Sequence, residues 1–158
     1  MSCAGLVSTV ALGAAVLAGC AGGPTPAPKV DIAVLQQQVT AAERAFAKTM
    51  ADRNFAGFGN YVAEDALFYS GPTPPLRGRQ AVMDYWKRFY DKPQAPFSWE
   101  PDKVDVLDNG TLAHSSGPVK DPSGKVVSRF NSVWRQDAPG VWRVVFDRGE
   151  PVCDCAKQ

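Results

Sequence analysis

The first 28 residues contain no Asp, Glu, Lys or Arg, and Lys29 is the first charged side chain. The whole chain has one histidine, and Lys plus Arg exceed Asp plus Glu by only 17 to 16. A net charge of +1 lacks the electrostatic footprint of a general nucleic-acid binder, so no nucleic-acid partner is expected. A metal site needs more than one imidazole, or a cysteine pair with helpers, so neither a metal nor a cofactor is expected. The uncharged run from Gly5 to Ala18 falls short of the roughly 20 apolar residues of a membrane-spanning helix. Its length suits the apolar region of a signal peptide. The composition is otherwise ordinary for a globular protein: 158 residues in all, 45% hydrophobic and 21% charged, enough for one domain.

The apolar run ends in Leu17-Ala18-Gly19-Cys20, which resembles a bacterial lipobox. The resemblance implies a lipoprotein signal peptide over 1–19, with Cys20 lipidated as the mature N-terminus. It also implies a membrane partner through that lipid, and Ala21 in the second mature position points to the outer membrane, facing the periplasm. Ala21 to Pro28 reads AGGPTPAP, a tether without a core, so 20–30 is anchor and linker and 31–158 is the folded domain. Cys153-Asp154-Cys155 lies near the end of the sequence. In an oxidising envelope these two thiols are expected to oxidise, as a strained local disulfide or an inter-chain link; a redox or thiolate site is the sharper alternative.

Ile32, Leu35, Val39, Ala42, Phe46 and Met50 recur at helical spacing, with Asp31 placed to cap the start. Phe55 to Val62 suggests a short second helix, Ala66 to Ser70 a brief strand, and Arg79 to Tyr90 a third helix. Period-two patterning then predicts strands over 97–107, 111–120, 126–136 and 141–148. Asp108-Asn109-Gly110-Thr111, Asp121-Pro122-Ser123-Gly124 and Asp137-Ala138-Pro139-Gly140 supply the turns between them. Helices followed by an antiparallel meander make an α+β fold.

The segments Tyr61-Val62-Ala63-Glu64-Asp65-Ala66, Leu76-Arg77-Gly78-Arg79-Gln80-Ala81-Val82, Val133-Trp134-Arg135 and Gly140-Val141-Trp142-Arg143-Val144-Val145 occur in this order. In this they resemble the nuclear transport factor 2-like superfamily, in its SnoaL-like and uncharacterised small-domain branches, over about 31–150. The resemblance implies a cone: a curved antiparallel sheet wrapped around a long N-terminal helix, with a pocket at the open end. It also implies dimers through the outer sheet face. Enzymatic members such as the steroid isomerases use an aspartate base, a helical tyrosine and an acidic donor on the penultimate strand. Matching the segments places those roles on Ser70, Phe46 and Ser132, none of which supplies a group that titrates near neutral pH.

Turn geometry assigns faces independently. Pairing Asp108 with Thr111 sets Val106 opposite Ala113 and Val104 opposite Ser115. Pairing Val119 with Val126 sets Ser115 opposite Phe130 and Ala113 opposite Ser132. Val104, Ala113, Ser115, Phe130, Ser132, Trp134, Trp142, Val144 and Phe146 then share a face without charge. Asp105, His114, Arg129, Arg135, Arg143 and Asp147 occupy the other. Burying the second set costs several kcal/mol per unpaired ion, so the uncharged face is expected to turn inward. The expected ligand pocket is Ser70, Tyr69, Trp86, Ser115, Phe130, Ser132, Trp134, Trp142 and Phe146. Leu112, Val127, Val133, Val141 and Val145 are left outward, where a modest homodimer interface would cover them.

No catalytic residue is assigned. His114 belongs to the polar face, and a Ser70–His114–Asp65 triad lacks any nucleophile motif. Glu64 and Asp65 suit a solvated turn or partners for Arg77 and Arg79. The expectation is an envelope lipoprotein whose cone binds a small, largely apolar ligand or mediates assembly. The alternative is an isomerase, dehydratase or cyclase using Asp65 or Tyr69. A buried carboxylate in the pocket would favour that alternative; a pocket free of titratable groups would favour binding.

Overall fold

Helix α1, Ile32–Ala51, begins where Asp31 accepts a hydrogen bond from the Val34 amide at 3.2 Å. The structure, a computed structural model, describes residues 31–70 and 74–152, so Cys20, Cys153 and Cys155 lie outside the described residues. Helix α2, Phe55–Gly59, is capped by Asn54, and strand β1 runs over Val62–Tyr69, starting four residues before the expected Ala66. After β2, Leu76–Arg77, helix α3 covers Arg79–Trp86 and tightens into a 3₁₀ turn over Lys87–Phe89.

The expected strand over 97–107 is two strands, β3 (Ser98–Trp99) and β4 (Lys103–Val106). Pro101 lies between them, where a residue without an N–H cannot continue a ladder. Strands β5 (Leu112–Lys120), β6 (Val126–Ala138) and β7 (Val141–Pro151) complete a seven-stranded sheet in the order β2-β1-β7-β6-β5-β3, with β4 beside β5. Among the described residues only β1 and β7 pair in parallel. The architecture is the expected α+β one: an N-terminal helix against a curved, open, mostly antiparallel sheet. Phe46 on α1 anchors the packing, with Phe58, Trp99 and Trp134 rings centred 4.9, 5.5 and 5.9 Å from its own.

Register decides which side chains enter the cone. Val104 pairs with Ser115 and Val106 with Ala113, as the Asn109-Gly110 turn predicts. Between β5 and β6 the register is two residues off the expectation: Ser115 faces Ser132, Gly117 faces Phe130 and Ala113 faces Trp134. The cause is a wider loop, in which Asp121 Oδ1 accepts from the Ser123 and Lys125 amides and the ladder shifts at Val119/Lys120. A slip of two preserves the face of every side chain. The next hairpin does not.

Strand β7 carries an extra residue where Val133 pairs with Phe146 but Trp134 pairs with Val144. This bulge inverts the alternation beyond it. Val144 and Val145 are both buried, Phe146 is 48% exposed on the outer face, and Asp147 turns inward. Two expectations are thereby corrected. Phe146 leaves the pocket for the position that Val145 was expected to hold, and Asp147 enters the face that was expected to be free of charge.

Gly117 shows how closely the cone wall is built. A Cβ there would lie 1.9 Å from the Glu100 carbonyl oxygen and 2.9 Å from the Phe130 ring. That carbonyl immediately follows Trp99, whose placement the site requires. Gly117→Ala is expected to destabilise the fold by at least about 2 kcal/mol, measured by urea unfolding. A cost near zero would show that the segment after β3 is not packed against β5.

Candidate functional site

Val39, Glu43, Phe46 and Met50 form the buried stripe of α1, so a carboxylate occupies a core position. Glu43 is fully buried. Its Oε1 accepts from Trp99 Nε1 at 2.8 Å, and its Oε2 accepts from Ser115 Oγ at 2.6 Å and Trp134 Nε1 at 3.0 Å. The Trp134 N–H also reaches Ser115 Oγ at 2.9 Å. Burial raises the Glu43 pKa, and these donors oppose the rise. Three donors drawn from β3, β5 and β6 hold this carboxyl as an anion better than any other group in the cone.

Asp147 on β7 is the second carboxyl inside. Its Oδ2 accepts from Ser132 Oγ at 2.9 Å, and Ser132 stands opposite it in the ladder. No other side-chain donor reaches it among the described residues. Burial pushes its pKa up to about 7; the Ser132 hydrogen bond opposes the rise, and the negative charge of Glu43 adds a smaller push upward. Of the two acids, Glu43 has three donors and Asp147 one, so Asp147 is the one that keeps its proton.

Asp147 lines a cavity of about 300 Å³ at the open end of the sheet. Six aromatic rings share the wall: Phe46, Tyr69, Trp86, Phe97, Trp99 and Phe130. Ser70, Ser128 and Gly149 also line it, and among the described residues Asp147 is the only charged one that does. Trp86 Nε1 is buried without a hydrogen-bond partner among the described residues, while its ring stacks on Phe58 at 4.8 Å.

The structure brings together Tyr69, Ser70, Trp86 and Phe130 of the expected pocket. Ser115, Ser132 and Trp134 lie behind the wall, where they bind the two carboxylates. Trp142, on β7, is buried against another part of α1, its Nε1 donating to Gln38 Oε1 at 3.1 Å. Phe146 is outside. Asp65, weighed as a base, sits on the surface, where two hydrogen bonds from Arg135 hold its carboxyl below the usual range. Glu64 pairs with Arg79. His114 stands opposite Asp105 on the outer face.

Both carboxylates were missed from sequence, for different reasons. Glu43 had a signal: it lies four residues after Val39 and three before Phe46, in phase with the stripe. Asp147 had none, because a bulge is invisible to strict alternation.

A long helix laid in a curved open sheet, with a lined cavity at one end, defines a nuclear transport factor 2-like cone. The chain belongs to the SnoaL-like domain family, whose model matches residues 42–144. It is similar to a nuclear transport factor 2-like protein of unknown function from Pseudomonas putida, 16% identical with a TM-score of 0.62 over 80% of this chain and 93% of that one. A domain of unknown function with a cystatin-like fold from Nostoc punctiforme is 17% identical, TM-score 0.61, over 79% and 82% of the two chains. A ketosteroid isomerase-like protein from Erwinia carotovora atroseptica is 13% identical, TM-score 0.58, over 75% and 96%. At these identities the likeness shows the fold alone. No curated relative matches the sequence.

The raised Asp147 pKa has a consequence for stability. The folded state holds this proton up to about pH 7, whereas an unfolded aspartate releases it near its ordinary value of 3.8. Stability therefore falls as pH rises from about 4 to about 7 and levels off above. Asp147→Asn removes that loss and retains an acceptor for Ser132; Glu43, also raised, leaves a slope of the same sign in both proteins. The variant is expected to gain on the wild type between pH 5 and pH 8 in urea unfolding. A difference that does not change with pH would show that Asp147 titrates alike in the folded and unfolded protein.

Proposed function

We propose that the domain takes one small, largely apolar molecule into the cone, where Asp147 gains or loses a proton as the molecule binds or reacts. The observation that carries this reading is a carboxyl with one side-chain partner, set in a cavity otherwise uncharged and rich in aromatic rings. A group that titrates near neutral pH, beside space for a ligand, suits acid–base work better than inert filling. The carboxylate tips the balance from a passive binding module toward the enzyme-like alternative, with Asp147 in the role that Asp65 and Tyr69 were weighed for. Isomerase, dehydratase and cyclase chemistry can each use a carboxyl placed in this way to move a proton.

Cys20 and its lipobox-like approach support an envelope lipoprotein that works from the membrane, at the outer membrane's periplasmic face. The outer sheet face, where Val141 and Phe146 are exposed, supports assembly with a second copy of the chain; Val127, expected on that face, lines the cavity instead.

Gly149 offers a test, since it lines the cavity and its missing Cβ would meet nothing within 4 Å. Gly149→Trp should fold normally and fill the space. Screening small ring compounds against the full chain by ligand-observed NMR should give hits that bind wild type and not this variant. Calorimetry of a hit in two buffers of different ionisation enthalpy should show a proton taken from or released to the buffer on binding near pH 7, and that exchange should disappear in Asp147→Asn. Hits unaffected by the plug, or no proton linkage, would contradict the reading.

A further inference from the structure

We infer that the molecule the cone accepts carries a protonated amine on a small apolar body, its ammonium group set against Asp147 and its body against the aromatic wall. This rests on the reading of the cone as a small-molecule site and adds the ligand's charge.

Charge balance is the first ground. Among the described residues the cone contains two carboxyls, Glu43 and Asp147, and no Lys, Arg or His lines the cavity. Every oxygen of Glu43 is occupied by a donor from the protein, whereas Asp147 receives only the Ser132 hydroxyl among the described side chains. Buried carboxylates are ordinarily matched by a cation. Here the position beside Asp147 that such a cation would take opens on the cavity rather than on a protein side chain.

The wall is the second ground. Aromatic faces carry negative potential, and rings gathered around one site favour an organic cation over a neutral body of the same shape. The six rings of this cavity surround a space of about 300 Å³, enough for one ring and a short chain. An anionic ligand would meet two carboxylates and no compensating charge. A neutral one would leave the Asp147 charge unmatched whenever that group ionised.

The surroundings of Asp147 are otherwise poor in ionisable groups. From α1 it faces Glu43; from β6, Ser132 and Phe130; from β1, Phe68 and the Tyr69 phenol. On its own strand Arg148 lies over the Tyr69 ring at 5.8 Å and Glu150 is exposed. An arriving ammonium group therefore finds Asp147 as its anion, and Asp147 releases its proton to solvent as the pair forms. Affinity for an amine should rise about tenfold per pH unit below 7 and level off above, following the ionised fraction.

Benzylamine, benzyl alcohol and benzoate separate the possibilities, since they share a ring and differ in charge. Binding to the full chain is followed through the indole N–H signals of Trp86 and Trp99, which line the cavity. Benzylamine is expected to bind at least tenfold more tightly than benzyl alcohol at pH 8, to weaken toward pH 5.5, and to lose its advantage in Asp147→Asn. Retained benzyl alcohol binding would show that the variant's cavity is intact. Alcohol or benzoate binding as tightly as the amine at pH 8 would overturn the inference and leave the cone a small-molecule site. Failure of all three to shift either indole would overturn both.

Discussion

The Glu43 carboxylate is the constraint on which the rest of the cone depends. A glutamate in the core stripe of a helix is tolerable only if donors meet it, because an unpaired buried anion costs several kcal/mol. Trp99, Ser115 and Trp134 meet it from three separate strands, so one side chain fixes how α1 sits in the sheet. The large core residues are placed by the same need. Trp134 is fully buried because its N–H has a carboxylate to reach, and Trp99 can close the wall of the cavity because its own N–H is satisfied. Gly117 completes the arrangement by letting the segment after Trp99 pass against β5 without a Cβ between them.

Asp147 takes its character first from burial, which disfavours its charged form. The Ser132 hydrogen bond opposes that rise, and the nearby Glu43 carboxylate adds a smaller push in the same direction as burial. The two acids thus diverge: one is a structural anion, the other a group that exchanges a proton where the cavity begins. Ser132 and Phe46, which the family resemblance matches to an acid and a tyrosine of enzymatic members, each adjoin a carboxyl here. Phe46 lies three residues from Glu43 on α1, and Ser132 lies across the ladder from Asp147. The cone thus holds two acidic groups, one beside each of these positions.

The sequence made the fold legible where local rules act alone. Helical spacing located α1, the Asn109-Gly110 turn fixed the β4–β5 register, and the uncharged face of β5 and β6 pointed inward despite a register slip of two. It failed where one residue changed parity. The extra residue at Val145 in β7 exchanged Phe146 for Asp147, and with that exchange the cone changed from an uncharged pocket to one with a titratable group. Solvation arguments sorted the charged residues correctly on average, but they weigh each ion as unpaired. They therefore pass over carboxylates for which a tertiary fold supplies donors from distant strands.

The most direct test of this account is the ionisation of Asp147 itself. The carboxyl carbon of Asp147 in the ¹³C-labelled full chain, assigned by comparison with Asp147→Asn, can be followed by NMR from pH 3 to pH 9. The expected result is a midpoint near 7, well after the surface aspartates such as Asp65 and Asp102 have lost their protons. A midpoint within the ordinary carboxylate range, about 4, would contradict the coupled, buried pair and the function proposed for it.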